Sequence, residues 1–99
     1  MSTVVVRYKT KPERGDENQA LVEQVFAQLN AEDPGGVRYM TLRLDDGVTF
    51  VHIAEVDGDG PNPLGELSAF ADFQAEIVDR CDEPPDARPA TIVGSYRFR

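Results

Sequence analysis

The chain predicts an α+β sandwich, a four-stranded antiparallel sheet carrying two helices on one face. Three observations lead there. Runs rich in β-branched and aromatic residues stand near both ends, two segments repeat their apolar residues at helical spacing, and between those segments lies a hairpin signal centred on Asp46-Gly47. The resulting element order, βαββαβ, is that of the ferredoxin-like sandwich. Ninety-nine residues make one domain, residues 1–99.

Each element has its own punctuation. "TVVVRYKT" (Thr3–Thr10) reads as a strand that stops at Lys11-Pro12. Asp16 can cap the first helix, and Gln19 three residues on completes a capping-box pattern. Leu21, Val22, Val25, Phe26 and Leu29 then form one apolar helical face, which Pro34-Gly35-Gly36 ends. Val37–Val56 reads as a β-hairpin, with Asp46-Gly47 as a two-residue type I′ turn. "DGDGPNP" (Asp57–Pro63) is a loop. A second helix starts at Ser68, carries Phe70, Phe73, Ile77 and Cys81 on one face, and stops at Pro84-Pro85. "ATIVGSYRFR" (Ala90–Arg99) is read as the last strand.

The turn fixes the register of the hairpin and sorts its residues into two faces. On one face Leu44 opposes Thr49, Leu42 opposes Val51, Met40 opposes Ile53, and Arg38 opposes Glu55. This aliphatic face is expected under the helices, with Phe26, Phe70 and Phe73. The alternate face pairs Arg43 with Phe50, Thr41 with His52, Tyr39 with Ala54, and Val37 with Val56. It is too apolar to leave in water, so a second copy of the chain is expected to cover it, giving a homodimer through Tyr39, Thr41, Phe50 and His52.

Composition narrows the partners. The formal charge is −8, from 18 acidic and 10 basic side chains, and the basic ones are scattered. That field repels phosphate backbones, so no nucleic-acid partner is expected. No apolar run approaches the roughly 20 residues needed to span a bilayer, and the apolar part of "MSTVVVRYKTKP" is too short for a secretory signal. A cytoplasmic protein with no membrane association is the simplest expectation. Cys81 is alone and falls on an apolar stripe, which suits a buried structural thiol. Asp57-Gly58-Asp59-Gly60 resembles a fragment of a calcium loop, yet the EF-hand spacing and terminal glutamate are missing, so a solvated acidic turn is expected and no metal site.

With the elements placed, the pattern resembles the antibiotic-biosynthesis-monooxygenase-like proteins of the dimeric α/β-barrel superfamily. The resemblance spans nearly the whole chain in element order. It rests locally on "GVRY" (Gly36–Tyr39), "FVHIAEV" (Phe50–Val56) and "FADFQA" (Phe70–Ala75). It implies two sheets meeting face to face in a dimeric α/β barrel. Such proteins include cofactor-free oxygenases of phenols and quinols, haem-degrading enzymes and others of unassigned role. Val56 stands where active members often have an aromatic residue, commonly Trp. Asp72 stands where the haem-degrading members carry an iron-binding His, so haem degradation is not expected.

The single histidine, His52, has three readings. It is a hydrogen-bonded interior histidine, a general base or substrate-orienting group in a cavity, or a metal ligand, the last without any spaced partner. On the enzymatic reading His52, Tyr39 and Arg43 are the catalytic candidates. Thr41, Phe50, Phe73 and Asp72 are then candidate ligand contacts, the ligand is a small aromatic or quinone-like molecule, and no cofactor is expected. A non-catalytic binding dimer and a ligand-free scaffold stand beside it. In each case His52 is expected to be buried and neutral near pH 7, partnered by Thr41 or a backbone group. Burial and Arg43 nearby should hold its pKa below about 6.5.

Overall fold

The computed structural model describes residues 2–58 and 60–98. Four strands, β1 (Ser2–Thr10), β2 (Val37–Arg43), β3 (Thr49–Val56) and β4 (Cys81–Ala90), form one antiparallel sheet in the order β2-β3-β1-β4. Three α-helices, α1 (Gly15–Glu32), α2 (Ser68–Gln74) and the single turn α3 (Ile77–Arg80), with short 3-10 turns at Pro12–Arg14 and Pro63–Glu66, complete the elements among the described residues. The connectivity is the expected ferredoxin-like one, βαββαβ, with the second helix broken in two. Asp59 of the acidic loop and Arg99 of the expected last strand lie outside the described residues.

The helix α1 presents the expected stripe. Val22 and Val25 are buried, and Leu21, Phe26 and Leu29 pack against the same cluster. Its start differs from the capping box. The N-cap position is Arg14, and the Asp16 and Gln19 side chains instead accept from the Arg43 guanidinium at 3.0 and 2.7 Å. The helix closes at Asp33, in the left-handed region at φ 44°, just ahead of Pro34. Across the sheet surface, Gln28 Oε1 accepts from Ala69 N at 2.8 Å, so a side chain of α1 caps the first turn of α2.

The hairpin has the expected register. Leu42 pairs with Val51, Thr41 with His52, and Arg43 with Phe50. The turn type differs. Gly47 has φ 78°, but Asp46 stays out of the positive region. Gly47 N donates to Leu44 O, which makes a turn over Asp45-Asp46 followed by a left-handed glycine. Asp46 closes it from the side chain by accepting from Val48 N, Thr49 N and Thr49 Oγ1. Those donors hold its carboxyl down to about 2.

The two sheet faces are the reverse of the expectation. Tyr8, Phe50 and His52 are buried with Val22, Val25 and Phe73, and Val37, Tyr39 and Ala54 pack onto this cluster, so this face lies under the helices. Met40, Leu42, Val51 and Ile53 stand on the open face, where Leu42 is 45% exposed. The expected dimer through Tyr39, Thr41, Phe50 and His52 is therefore ruled out, because α1 and α2 already occupy that face. Both faces are apolar enough to bury. What decides between them is that His52, Tyr8 and Thr41 can be buried only where partners exist; on this face the strands partner His52 through Tyr8, Tyr39 and Thr41, and α1 adds Asn18 to Tyr8.

The last strand also falls elsewhere. Strand β4 is the proline-rich "CDEPPDARPA", and "TIVGSYRF" follows it outside the sheet. The chain leaves α3 beside the end of β1, with Lys11 N donating to Arg80 O at 2.8 Å, so pairing starts immediately at Thr10 and Cys81. As an edge strand, β4 tolerates prolines. Pro84 and Pro85 occupy a bulge, between the pairs Arg7–Asp86 and Lys9–Glu83. By Ala90, opposite Thr3, strand β1 has almost run out, so the more β-prone tail cannot extend this pairing. Cys81 is accordingly a strand residue, though buried as expected.

Candidate functional site

Residues from five elements meet under the helices around His52. Alternation along β3 turns His52 inward between Phe50 and Ala54. Strand β1 brings Tyr8, whose ring stacks on Phe50 at 5.5 Å between centroids. Strand β2 brings Tyr39, stacked on Phe26 of α1 at 5.0 Å, and Thr41. Helix α2 brings Phe73, 5.3 Å from the imidazole. The aromatic rings make a dry wall, and every polar tip within it finds a partner.

Those tips form one chain. Tyr8 Oη is 2.7 Å from His52 Nε2, and Tyr39 Oη makes a short contact to His52 Nδ1. Thr41 Oγ1 lies 3.1 Å from the same Nδ1. Asn18 Nδ2 donates to Tyr8 Oη at 2.8 Å, and Arg80 Nε donates to Asn18 Oδ1 at 3.2 Å. The Arg80 guanidinium, 2% exposed, also donates to the carbonyls of Ala75 and Phe73. It thus satisfies the end of α2 and lies over the Phe73 ring at 5.5 Å. Among the described residues no buried side-chain nitrogen or oxygen lacks a partner.

Burial keeps the triad neutral. Desolvation pushes His52 down to about 4 and Tyr39 up to about 12, and raises Tyr8 as well, against the opposing hydrogen bond from Asn18. The lowering of His52 is as expected, but its cause is burial alone. At neutral pH this imidazole is therefore a poor proton acceptor and a good orienting group. The sequence expectation of Thr41 as its partner holds, with two tyrosines added.

The site opens through its β2 residues. Tyr39 and Thr41 line a cleft of about 1110 Å³ with Phe26, Met40, Ile53 and the tail residues Ile92, Tyr96 and Phe98. A smaller cleft of about 200 Å³, between Phe26, Asn30, Pro34 and Val37, reaches Tyr39 from its other side.

Of the candidates, His52, Tyr39 and Thr41 come together, and Phe73 packs on them. Arg43 does not join them. It lies over Phe50 at 5.4 Å, pairs with Asp16 at 3.0 Å and donates to Gly47 O, tying the hairpin to α1. Phe50 is 1% exposed and lines neither cleft. Asp72 is exposed on α2, away from the imidazole's hydrogen bonds. Among the described residues no group of His, Cys, Asp and Glu could hold a metal ion.

Three participants escape the sequence reading. Tyr8 shares its strand parity with Val4 and Val6, and Asn18 precedes Val22 by one helical turn. A polar residue on an apolar stripe was the available signal. Nothing local marks Arg80, which reaches Asn18 because Glu76, at φ 61°, breaks the helix ahead of α3.

No protein-family model matches the chain, and no curated protein is significantly similar to it. Solved structures do share its fold. A structure of Rv0793 from Mycobacterium tuberculosis superposes with a TM-score of 0.71 at 17% identity, over 95% of this chain and 96% of that one. A crystal structure of an antibiotic biosynthesis monooxygenase gives 0.72 at 17% identity, over 95% and 100%. SnoaB, a cofactor-independent oxygenase from Streptomyces nogalater, gives 0.67 at 19% identity, over 98% and 97%. The chain thus has the fold of the antibiotic-biosynthesis-monooxygenase-like proteins, the group its sequence resembles.

Proposed function

We propose that the protein is a homodimeric, cofactor-independent monooxygenase-like enzyme acting on a phenolic or quinol-type small molecule. The observation that carries this reading is the buried phenol–imidazole–phenol chain, Tyr8–His52–Tyr39, which meets the larger cleft at Tyr39, beside Thr41. The fold shared with SnoaB supports it. A phenol with a free para C–H and dioxygen give a para-quinone and water. One oxygen atom enters the ring, the other leaves as water, and all four electrons come from the substrate. Such a step starts from the substrate phenolate, its proton passing to solvent water at the open cleft because the buried His52 is a poor acceptor. Hydroxyl donors held rigidly by a neutral imidazole, in a dry aromatic wall, stabilise that charge where it develops. His52 orients, and Tyr39 and Thr41 touch the substrate oxygen.

The open sheet face carries the dimer. Strand alternation places Val5, Met40, Leu42, Val51 and Ile53 there, ringed by Arg7, Lys9, Arg38 and Arg88 against Glu55, Glu83 and Asp86. In a chain of net charge −8 this face is nearly balanced, so two copies can approach through it. The tail adds apolar surface, with Tyr96 77% and Phe98 65% exposed.

Oxygen uptake with a panel of polycyclic phenols and hydroquinones tests the activity. The expected result is uptake above the buffer rate that falls about a hundredfold in Tyr39→Phe. A wild-type protein that consumes no oxygen with any of them sinks the reading. A second reading, a non-catalytic binding dimer, is favoured by the full internal satisfaction of the network. It expects ligand binding without oxygen uptake.

A further inference from the structure

Hydrogen bonds have a direction, and here one end of the chain sets it for the rest. A guanidinium has only donors. Arg80 Nε therefore makes Asn18 Oδ1 the acceptor, and the amide nitrogen is the end that faces Tyr8. An amide flip is ordinarily ambiguous, but the guanidinium removes the choice. The Tyr8 oxygen accepts from Asn18, so its own hydrogen goes to the other partner in reach, His52 Nε2 at 2.7 Å. A neutral imidazole holds one donor and one acceptor. With Nε2 accepting, the hydrogen sits on Nδ1 and is donated toward Tyr39 and Thr41. Neither hydroxyl can then give its hydrogen to the ring. The two hydroxyl hydrogens are left for each other and for the cleft that both residues line.

We infer that Asn18, locked by Arg80, is a positioning residue that sets the His52 tautomer and so makes the Tyr39–Thr41 pair a hydrogen-bond donor toward an acceptor oxygen in the cleft. The opposite tautomer would draw one hydroxyl hydrogen inward and turn a lone pair outward, suiting a donor ligand instead. That the acceptor is a quinone carbonyl or phenolate oxygen rests on the function proposed above; the tautomer does not.

Nitrogen-15 NMR of the single imidazole at pH 7 reads the tautomer directly in the wild-type protein. The expected spectrum shows a protonated Nδ1 and a bare Nε2. The reverse assignment, or an averaged pair, overturns the inference whether or not any variant folds. Asn18→Asp then inverts the chain with nearly the same shape. A carboxylate can only accept, from Arg80 and from the Tyr8 hydroxyl, so the Tyr8 oxygen must accept from Nε2–H. The two nitrogen resonances should exchange character, and a folded Asp variant that keeps Nδ1–H overturns the inference. Binding of 1,4-naphthoquinone against naphthalene reads the cleft. The wild type should prefer the quinone, and Asn18→Asp should cut that preference about fivefold, the worth of one hydrogen bond. No preference in the wild type, or an equal one in both proteins, overturns the donor assignment. A merely structural Asn18 would weaken both ligands together and leave the tautomer alone. Expected NMR results from a protein without oxygen uptake would remove the oxygenase reading and leave this one standing.

Discussion

Mild acid should loosen this protein through His52. The imidazole is 5% exposed, and burial takes its pKa from 6.5 to about 4. The groups facing it are Tyr8, Tyr39, Thr41 and Phe73. Both phenols are held neutral by burial, and no carboxylate is among these contacts. A depressed histidine pKa means that the unfolded chain binds the proton first. The stability it contributes is therefore fully present above 6.5 and is lost as pH falls from there toward about 4. At about 1.36 kcal/mol per pH unit the whole gap is worth about 3 kcal/mol. Most of that should go between pH 7 and 4.5, a large share of the roughly 5–15 kcal/mol of a small domain. Other acid-sensitive groups act later. The Arg14 hydrogen bond lowers Glu17 from its usual 4.5, and Asp46 falls from 3.8 to about 2, so both weaken the fold only below pH 4.5.

The assay is urea unfolding at one protein concentration, held fixed because dimerisation would otherwise move the midpoint. The wild type should lose stability steadily from pH 6.5 to 4.5. His52→Gln can still donate and accept but cannot titrate, so it should be flat across that window. A flat wild-type profile, an equal slope in the variant, or an NMR-titrated imidazole pKa at 6.5 or above would refute the reasoning.

Three other changes test separate parts of the molecule. Ile53→Glu puts a charge at the centre of the open sheet face, away from the helices, and should halve the mass seen by sedimentation while leaving the circular dichroism unchanged; a wild-type monomer refutes the interface. Gly15→Ala gains less than the roughly 1 kcal/mol of an interior helix position, because Gly15 is the first residue of α1, and its new Cβ would lie 2.6 Å from both Gly47 O and Arg43 Nη2. Since a backbone carbonyl cannot step aside, the net effect should be a loss of about 1–2 kcal/mol, and a raised melting temperature would contradict it. Arg80→Met leaves Asn18 Oδ1 and the carbonyls of Phe73 and Ala75 without their donor. It should cost about 3 kcal/mol, with Arg80→Lys recovering less than half, and thermal melting like that of the wild type would show the guanidinium to be dispensable.

How much of this the sequence disclosed depends on the range of the interaction involved. The hairpin register was legible because it is local: Asp46-Gly47 and a period of two place Thr41 opposite His52 without help from the rest of the chain. The helical stripe Val22, Val25, Leu29 was legible for the same reason. The last strand was not. Its residues, with three prolines, have the poorer β propensity, and "TIVGSYRF" the better. Propensity lost to proximity, because the chain emerging at Cys81 was already beside the free edge of β1.

The inverted sheet faces carry the sharper lesson for the site. Ranked by hydrophobicity alone, Met40, Leu42, Val51 and Ile53 belong inside, and a face with His52, Thr41 and Tyr39 belongs at an interface. That ranking treats polar atoms as a fixed penalty. Burial penalises them only when they are unpaired. Asn18 on α1 and Arg80 on α3 turn Tyr8 and His52 from liabilities into a closed network, and the aromatic bodies of Tyr8, Tyr39 and Phe50 then pack with Phe73 of α2 in the core. The face choice and the candidate site are thus the same fact. The residues that draw this face under the helices are those that orient His52 and aim Tyr39 at the cleft. Half of them, Tyr8, Asn18 and Arg80, lie in elements that no local pattern links to the hairpin.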